Sequence, residues 1–235
     1  MSLYLVDNPS VVQVSTDAVT LPEPAGAQDG EMQLILQGGS IGTFDPPAGW
    51  KEIFSNGAMS FHWGIRGVDF AGGNASMVSG SAGRGTILAR YRVTGNVDET
   101  CVFSHNQRGW TDGTLDYFYA NSLTVVDAEN RSRLYLSMAR QTASDGAMVS
   151  FDGRGAGFAD AFNLNLWEDS PSDPGGCGFG LAFSEDNAAI WPNVPTNRFY
   201  GYQPATGTMR VECVNLYIVE AEKKQTDILT PPPLF

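Results

Sequence analysis

Hydrophobic and polar residues alternate most regularly between residues 59 and 65. The apolar positions and the polar positions between them follow a period of two: Met59, Phe61, Trp63 and Ile65 against Ser60, His62 and Gly64. This pattern predicts a half-buried β-strand. Asn56-Gly57 immediately before it predicts a hairpin turn, because both central positions of a type I′ turn need positive φ.

Short runs rich in β-branched and aromatic residues recur along the chain and are separated by Gly, Pro, Asn and Asp. They include residues 3–6, 31–36, 87–93, 178–183 and 209–219. Such runs between turn-forming residues indicate strands, whereas residues 105–113 have the composition of a polar loop. No segment has the pattern of an amphipathic helix of 12 or more residues. The sequence therefore predicts an all-β fold, an antiparallel β-sandwich of jelly-roll-like type.

The second half of the chain echoes the order and spacing of the first half. Residues 133–138 parallel residues 31–36 in order and spacing along the chain, with little identity between them. We therefore expect one β-sandwich over residues 1–222, built from two pseudo-repeated halves at about 1–96 and 121–222. Residues 223–235 are charged and then proline-rich, which predicts an extended tail.

Composition narrows the classes of partner. The formal net charge is −12, which argues against binding nucleic acid, because neutralising phosphates needs clustered Lys and Arg. It also argues against anionic membrane surfaces, and no apolar run has the length of a transmembrane helix. Charged residues are only 17% of the chain, a composition that suits a subunit packed among neighbours. The first ten residues lack the basic region and the long apolar region of a secretory signal.

Three cysteines, Cys101, Cys177 and Cys213, have wide spacings and no CxxC pair, so we expect reduced thiols rather than a disulfide framework. The two histidines, His62 and His105, have no second ligand at metal-binding spacing. His62 is expected to be exposed or paired on the polar side of its strand.

Catalytic chemistry has little support in the sequence. No GxSxG elbow is present, and acidic clusters such as Glu168, Asp169 and Asp173 are expected in a chain with 26 acids. A glycosidase pair of acids and a calcium loop at residues 145–155 remain alternatives of lower weight, although the spacing of an EF-hand is absent. The expectation is a protein without catalytic residues, metal or cofactor.

Aromatic residues in or beside predicted loops give the better functional lead. They lie among Asn, Asp and Gln, a setting typical of sugar binding and also of protein interfaces. The candidates for contact with a glycan or a protein partner are Trp110, Tyr117, Tyr119, Trp191, Tyr200 and Tyr202. The candidates for docking onto a neighbouring subunit are Pro231, Pro232, Pro233, Leu234 and Phe235. Other aromatic residues, among them Phe44, Trp50, Phe61, Trp63, Phe162 and Trp167, are predicted to belong to the core.

Residues 21–93 carry a family resemblance. The matching features are Thr20-Leu21-Pro22, the stretch Gly26-Ala27-Gln28-Asp29-Gly30-Glu31, the Pro46-Pro47-Ala48-Gly49-Trp50 turn and the run from Ile87 to Gly95. In these features the sequence resembles a β-sandwich protein encoded by tailed bacteriophages. The resemblance covers about the first 95 residues, and the second half only as an echo.

The resemblance implies a virion structural protein of tail-fibre, tail-tip or head-decoration type, and it carries over no catalytic residues. The expected partners are other copies of the chain, other virion proteins and a host-surface glycan, with assembly in the bacterial host cytoplasm. No fibrous or coiled-coil shaft is visible, which favours a compact decorating or tail-associated subunit. The rival interpretation is a carbohydrate-binding module without a virion role.

Overall fold

The computed structural model describes residues 4–14, 17–38, 44–56, 59–79, 86–97, 102–110, 117–119, 133–141, 149–152, 161–164, 177–182, 198–201 and 210–221. Every regular element in these ranges is a β-strand. The first eight are β1 (Tyr4–Val14), β2 (Ala18–Leu21), β3 (Met32–Gly38), β4 (Phe44–Asp45), β5 (Lys51–Ser55), β6 (Met59–Ile65), β7 (Ala75–Ser79) and β8 (Thr86–Thr94). The second eight are β9 (Val102–Trp110), β10 (Tyr117–Tyr119), β11 (Arg133–Gln141), β12 (Val149–Asp152), β13 (Ala161–Leu164), β14 (Cys177–Ala182), β15 (Arg198–Gly201) and β16 (Arg210–Val219).

The first eight strands form two antiparallel sheets. The larger sheet has five strands in the order β1-β8-β3-β6-β5, and the smaller has three in the order β2-β7-β4. Strands distant in sequence lie side by side, β1 with β8 and β2 with β7, as in the interleaved Greek keys of a jelly roll. The β5 strand pairs with β6 and therefore joins the larger sheet, which makes the two sheets unequal. The predicted all-β sandwich is confirmed.

The second eight strands repeat this topology. Their five-stranded sheet has the order β9-β16-β11-β14-β13, and their three-stranded sheet has the order β10-β15-β12. Adding eight to each strand number of the first set gives the second set in both sheets. The second set of strands begins with β9 at Val102. The sequence pattern places the start of the second half later, at about residue 121.

The two sheets of the first set share an apolar core. Ile35 and Leu88 of the larger sheet pack with Leu21, Phe44 and Met77 of the smaller one. Val12 and Trp50 pack against this cluster from its margin. The predicted core positions Phe44, Phe61 and Trp63 are buried, while Trp50 is half-buried.

The opposite face of the first five-stranded sheet is also buried, and it is almost entirely apolar. Its fully or nearly fully buried side chains are Met32, Leu34, Leu36, Met59, Phe61, Trp63, Ala89, Tyr91 and Val93. The second five-stranded sheet lies against this face, because β3 approaches β11 and β14, and β5 approaches β9. Ile218 of β16, paired with Leu134 of β11, is fully buried. The two larger sheets therefore pack face to face at the centre of the molecule.

This arrangement corrects the expectation of a half-buried β6. All but its last residue are buried, because one face packs on the smaller sheet and the other on the second five-stranded sheet. His62, expected to be exposed or paired, is 5% exposed, with Nε2 3.7 Å from Glu52 Oε2. It is paired, and it is buried.

Two further sequence expectations concern local structure. The hairpin at Asn56 is present: the Asn56 N–H donates to the Met59 carbonyl at 3.1 Å, and the Met59 N–H donates to Asn56 Oδ1 at 2.8 Å.

The prediction of a polar loop at residues 105–113 is wrong for residues 105–110, because β9 runs to Trp110 and pairs with β16.

We expect Leu34→Ala to destabilise the protein by roughly 2–5 kcal/mol, because it empties space at the centre of the buried face. Val78→Ala is the matched control, since Val78 is 63% exposed on β7 and its truncation should cost less than about 0.5 kcal/mol. Urea unfolding of the two variants measures the difference. Equal and small costs would contradict the face-to-face packing.

Candidate functional site

The most concentrated polar chemistry among the described side chains lies around Glu23, in the connection between β2 and β3. Glu23 Oε1 accepts hydrogen bonds from Gln33 Nε2 at 3.0 Å, Arg66 Nε at 3.0 Å and Arg90 Nη2 at 3.3 Å. Glu23 Oε2 accepts from the Gly73 N–H at 2.8 Å. One carboxylate thus joins two strands of the larger sheet to the connection between β6 and β7.

Arg90 of β8 is the buried partner of this carboxylate. Its side chain is fully buried and also donates from Nε to Gln33 Oε1 at 2.7 Å and from Nη1 to the Gly73 carbonyl at 2.8 Å. Burial lowers the pKa of Arg90 to about 10, although the charge of Glu23 opposes this shift. The guanidinium is therefore still charged at neutral pH, and three polar partners compensate its loss of water.

Two aromatic rings cover the Arg90 guanidinium. Its central carbon lies 5.2 Å from the centre of the Trp50 ring and 5.6 Å from that of Phe70, distances at which a cation is attracted to the ring face. The two rings stack on each other with centroids 4.6 Å apart. Gly49, at φ +100°, allows this packing, because a side chain there would collide with the Asp69 carbonyl.

Further ion pairs fasten the same region. Arg92 donates to both oxygens of Glu31, at 2.8 Å and 2.7 Å, and to the Ala25 carbonyl at 2.7 Å. Arg66 pairs with Asp29 as well as with Glu23. Together these contacts hold residues 22–31 against the open end of the first sandwich.

The hydrogen bonds and ion pairs within this cluster limit the acid–base chemistry that Glu23 could perform. Burial raises the pKa of Glu23, but hydrogen bonds from Gly73, Gln33 and Arg66 and the charge of Arg90 together hold it below its ordinary value. A carboxylate with a lowered pKa is ionised at neutral pH, and both oxygens of Glu23 already accept hydrogen bonds within the protein. Among the side chains that the structure describes, no group of three His, Cys, Asp or Glu could hold a metal ion. We interpret the cluster as a structural clasp.

The predicted contact residues fall into three groups. Tyr117, Tyr119 and Tyr200 come together in the second three-stranded sheet. Trp110 lies apart from them, at the end of β9 opposite Arg210. The remaining candidates lie outside the described residues: Trp191, Tyr202, Pro231, Pro232, Pro233, Leu234 and Phe235.

The register of the second three-stranded sheet sorts its residues by face. Directly paired residues share a face, and successive residues on a strand alternate between faces. Phe118, Phe199 and Phe151 form one cross-strand row, and this row lies on a single face. On the opposite face one row consists of Tyr117, Tyr200 and Ser150, and the next of Tyr119, Arg198 and Asp152.

Sequence reasoning left residues 116–119 open as an edge strand or a connection, placed Tyr200 in or beside a loop, considered Asp152 only as part of a calcium loop, and did not single out Arg198. The enrichment in aromatic residues at Phe199, Tyr200 and Tyr202 is the signal that could have identified β15 as a strand. The pairing of Tyr117 with Tyr200 depends on long-range topology, so no local pattern reveals it.

In the small sheet of the first set the two faces differ in exposure. The paired residues Val19 and Met77 are buried, whereas the paired residues Ala18 and Val78 are exposed.

We expect Arg90→Met to destabilise the protein by about 3 kcal/mol, because it leaves buried polar partners of the guanidinium without their donor. Glu23→Gln should also destabilise it, since Arg90 and Arg66 lose a charged acceptor. The double variant should cost less than the sum of the two by roughly 1–2 kcal/mol. Chemical denaturation of all three measures this coupling, and strict additivity would contradict the clasp.

Stability should fall as the pH drops below about 6.5. Burial lowers the pKa of His62, although Glu52 and Asp45 oppose the shift, so the unfolded chain binds this proton more readily than the folded one. A second decrease is expected below the ordinary carboxyl value of 4.5, because the folded pKa values of Glu23 and Glu31 are lowered. The two carboxylates stabilise the folded protein above pH 4.5, and this stabilisation is lost as the pH falls through the pKa values that they have in the folded state.

Thermal midpoints measured against pH for the wild type and His62→Gln separate these two effects. The variant should lose the decrease near neutrality and keep the one at acidic pH. An unchanged profile would show that His62 titrates alike in both states.

Comparison with known proteins does not identify a relative of this chain. No protein-family model matches the chain, and neither a curated protein nor a solved structure matches it. Within the described ranges, no helix is long and apolar enough to cross a membrane.

Proposed function

We propose that the protein is a structural subunit of a bacteriophage virion, associated with the tail or decorating the capsid. It acts by assembling with itself and docking onto other virion proteins, without catalysis. The observation that carries this proposal is the repeated jelly-roll strand order, since jelly rolls build viral capsid domains. A fold alone does not determine function; the sequence resemblance over residues 21–93 adds independent support.

Low charge supports the same proposal. Charged residues make up 17% of the chain, well below the roughly 25% of typical soluble domains, and a surface with few charges suits burial between subunits. Closed symmetric rings or trimers are the usual form of such assemblies. The proline-rich residues 231–235 are proposed to lie on a neighbouring subunit.

Carbohydrate binding is the second candidate function. The observation that favours it is the common face of Tyr117, Tyr119 and Tyr200, because jelly rolls also build lectin domains. On a virion such a face would attach the particle to a host-surface glycan. Without a virion, the same face would make the chain a carbohydrate-binding module.

Removing residues 223–235 should leave the sandwich folded and reduce docking onto particles. Light scattering gives the oligomeric state of the purified full-length chain and of the truncated one. Immunogold labelling of particles from infected cells measures docking. We expect a discrete oligomer for the full chain, labelled particles, and at least a several-fold loss of label for the truncated chain.

The control for this experiment is Val78→Ala, which changes an exposed residue of β7 far from the tail in sequence. It should assemble and label particles like the wild type. Particles without label for the full-length chain would refute the virion proposal and leave the carbohydrate-binding module.

A further inference from the structure

We propose that the first two strands form an arm that is exchanged between copies of this chain when they assemble. The arm comprises residues 4–24, which are β1, β2 and the residues that follow β2, and residues 25–30 are its hinge. Each copy inserts its arm into a neighbour, in place of the neighbour's own arm. This inference rests on the self-assembly proposed above and names the partner, a second copy, and the segment that joins the two.

The arm lies at one side of both sheets of the first set. Among the described strands, β1 is the outermost of the five-stranded sheet, next to β8, and β2 is the outermost of the three-stranded sheet, next to β7. The two strands of the arm also contact each other. Removing the arm therefore breaks no pairing among the remaining strands, and an identical arm from another copy restores the pairings that were lost.

The space that the arm fills is apolar. Val14, Val19 and Leu21 of the arm are buried in the core cluster of the first set. Ile35 and Leu88 of the larger sheet belong to the same cluster and would meet water if the arm left its place. A vacated site therefore has to be filled again, and the arm of a second copy brings the same side chains at the same spacing.

The β1 strand is held less firmly than the strands inside the sheet. Its ladder with β8 is interrupted between Val6 and Ser10. Most of its described side chains are half-buried, and Val14 is buried, whereas all residues of β3 are buried. A strand with an interrupted ladder and partial burial detaches at a lower free energy than the interior of the sheet.

The hinge is exposed and rich in glycine. Its exposed residues are Ala25, Gly26, Gln28, Asp29 and Gly30, and both glycines have positive φ. Six extended residues span about 20 Å. The receiving copy therefore has to lie directly beside the copy that donates the arm.

Glu23 gives the exchanged arm its specificity. Its carboxylate moves with the arm, whereas its donors stay with the body of the molecule; they are Gln33, Arg66, Arg90 and the Gly73 N–H. The same clasp thus closes between two copies as within one. An arm without this carboxylate would leave the buried Arg90 without its charged partner, which is unfavourable. A second copy of this chain is therefore the occupant that fits.

Val78 of β7 lies between the arm and the rest of the small sheet, which allows a direct test. It pairs with Ala18 of the arm on one side and with Asp45 of β4 on the other, and all three residues are exposed. Paired residues on antiparallel strands have Cα atoms about 4.5–5.5 Å apart, a distance that a disulfide spans. A bond between positions 18 and 78 shows which chain supplies the arm.

The experiment co-expresses two differently tagged full-length chains, one with Ala18→Cys and the other with Val78→Cys. The purified oligomer is oxidised and analysed by non-reducing electrophoresis. We expect a covalent heterodimer that both tags capture, several-fold above the background set by the native thiols of the wild type. The matched control is a pair of chains with Asp45→Cys and Val78→Cys, which should stay at background, because β4 and β7 belong to one body.

The anchoring role of Glu23 is tested by mixing preformed oligomers of the two cysteine chains and oxidising them at intervals. Glu23→Gln in both chains should raise the rate of heterodimer formation several-fold, because it weakens the clasp that holds the arm. Glu52→Gln changes a carboxylate of β5 outside the clasp and should leave the rate unchanged. Equal rates for the two variants would contradict the anchoring role.

Single chains that carry both substitutions control for folding and for bond geometry. When reduced they should unfold at the wild-type temperature, and when oxidised each should form its bond. If Ala18→Cys does not fold, Thr20→Cys with Ser76→Cys, an exposed pair of β2 and β7, makes the same comparison. An oligomer in which positions 18 and 78 are joined only within one chain would overturn the inference.

Particle labelling separates this inference from the proposed function, and the same oxidation is applied to labelled particles if the chain assembles only there. Labelled particles with bonds only within single chains would keep the virion role and remove arm exchange. Covalent heterodimers of a chain that is absent from particles would keep arm exchange and remove the virion role. A monomer that labels no particles would remove both.

Discussion

The structure depends on one constraint: a five-stranded sheet with two faces that both have to be covered. Its inner face meets the small sheet of the same set through Ile35 and Leu88. Its other face, with Leu34 and Phe61 fully buried, needs a second large apolar surface, and β11, β14 and β16 belong to the sheet that supplies it. The first set of strands alone would expose that face to water, an area far larger than soluble monomers usually leave open. The two sets are therefore parts of one cooperative structure.

The inner face accommodates charge where the small sheet ends. With only three strands, that sheet leaves part of the larger one uncovered, and Glu23 and its partners cover this part with a closed polar network. Such a network stabilises only when its members are satisfied, and each of the three nitrogens of Arg90 donates a hydrogen bond. Trp50 and Phe70 complete the cover. The Pro46-to-Trp50 turn, conspicuous in the sequence, thus has a structural explanation.

Local sequence patterns predicted the strands well and their environments poorly. The alternation from Met59 to Ile65 correctly indicated β6, but Ser60 and His62 suggested an exposed face that is buried, because each finds a polar neighbour. Residues 105–110 were too polar to be predicted as a strand, since only pairing with β16 explains them. Tyr117 and Tyr200 were singled out by composition, whereas their adjacency follows from topology. Periodicity depends on neighbouring residues in the sequence, whereas the pairing of strands in a sheet depends on residues far apart in the sequence.

The repeated strand order has a consequence for symmetry. Two identical halves packed face to face would form a two-fold dimer, in which every residue of one outer sheet recurs on the other. When both halves belong to one chain, their sequences can differ, so the two outer sheets no longer have to carry the same residues. Ala18 pairs with Val78 at the start of β2, and Tyr117 pairs with Tyr200 at the start of β10, so the two small sheets carry different residues at corresponding strands. The covalent link lets one small sheet change its residues while the other keeps its own.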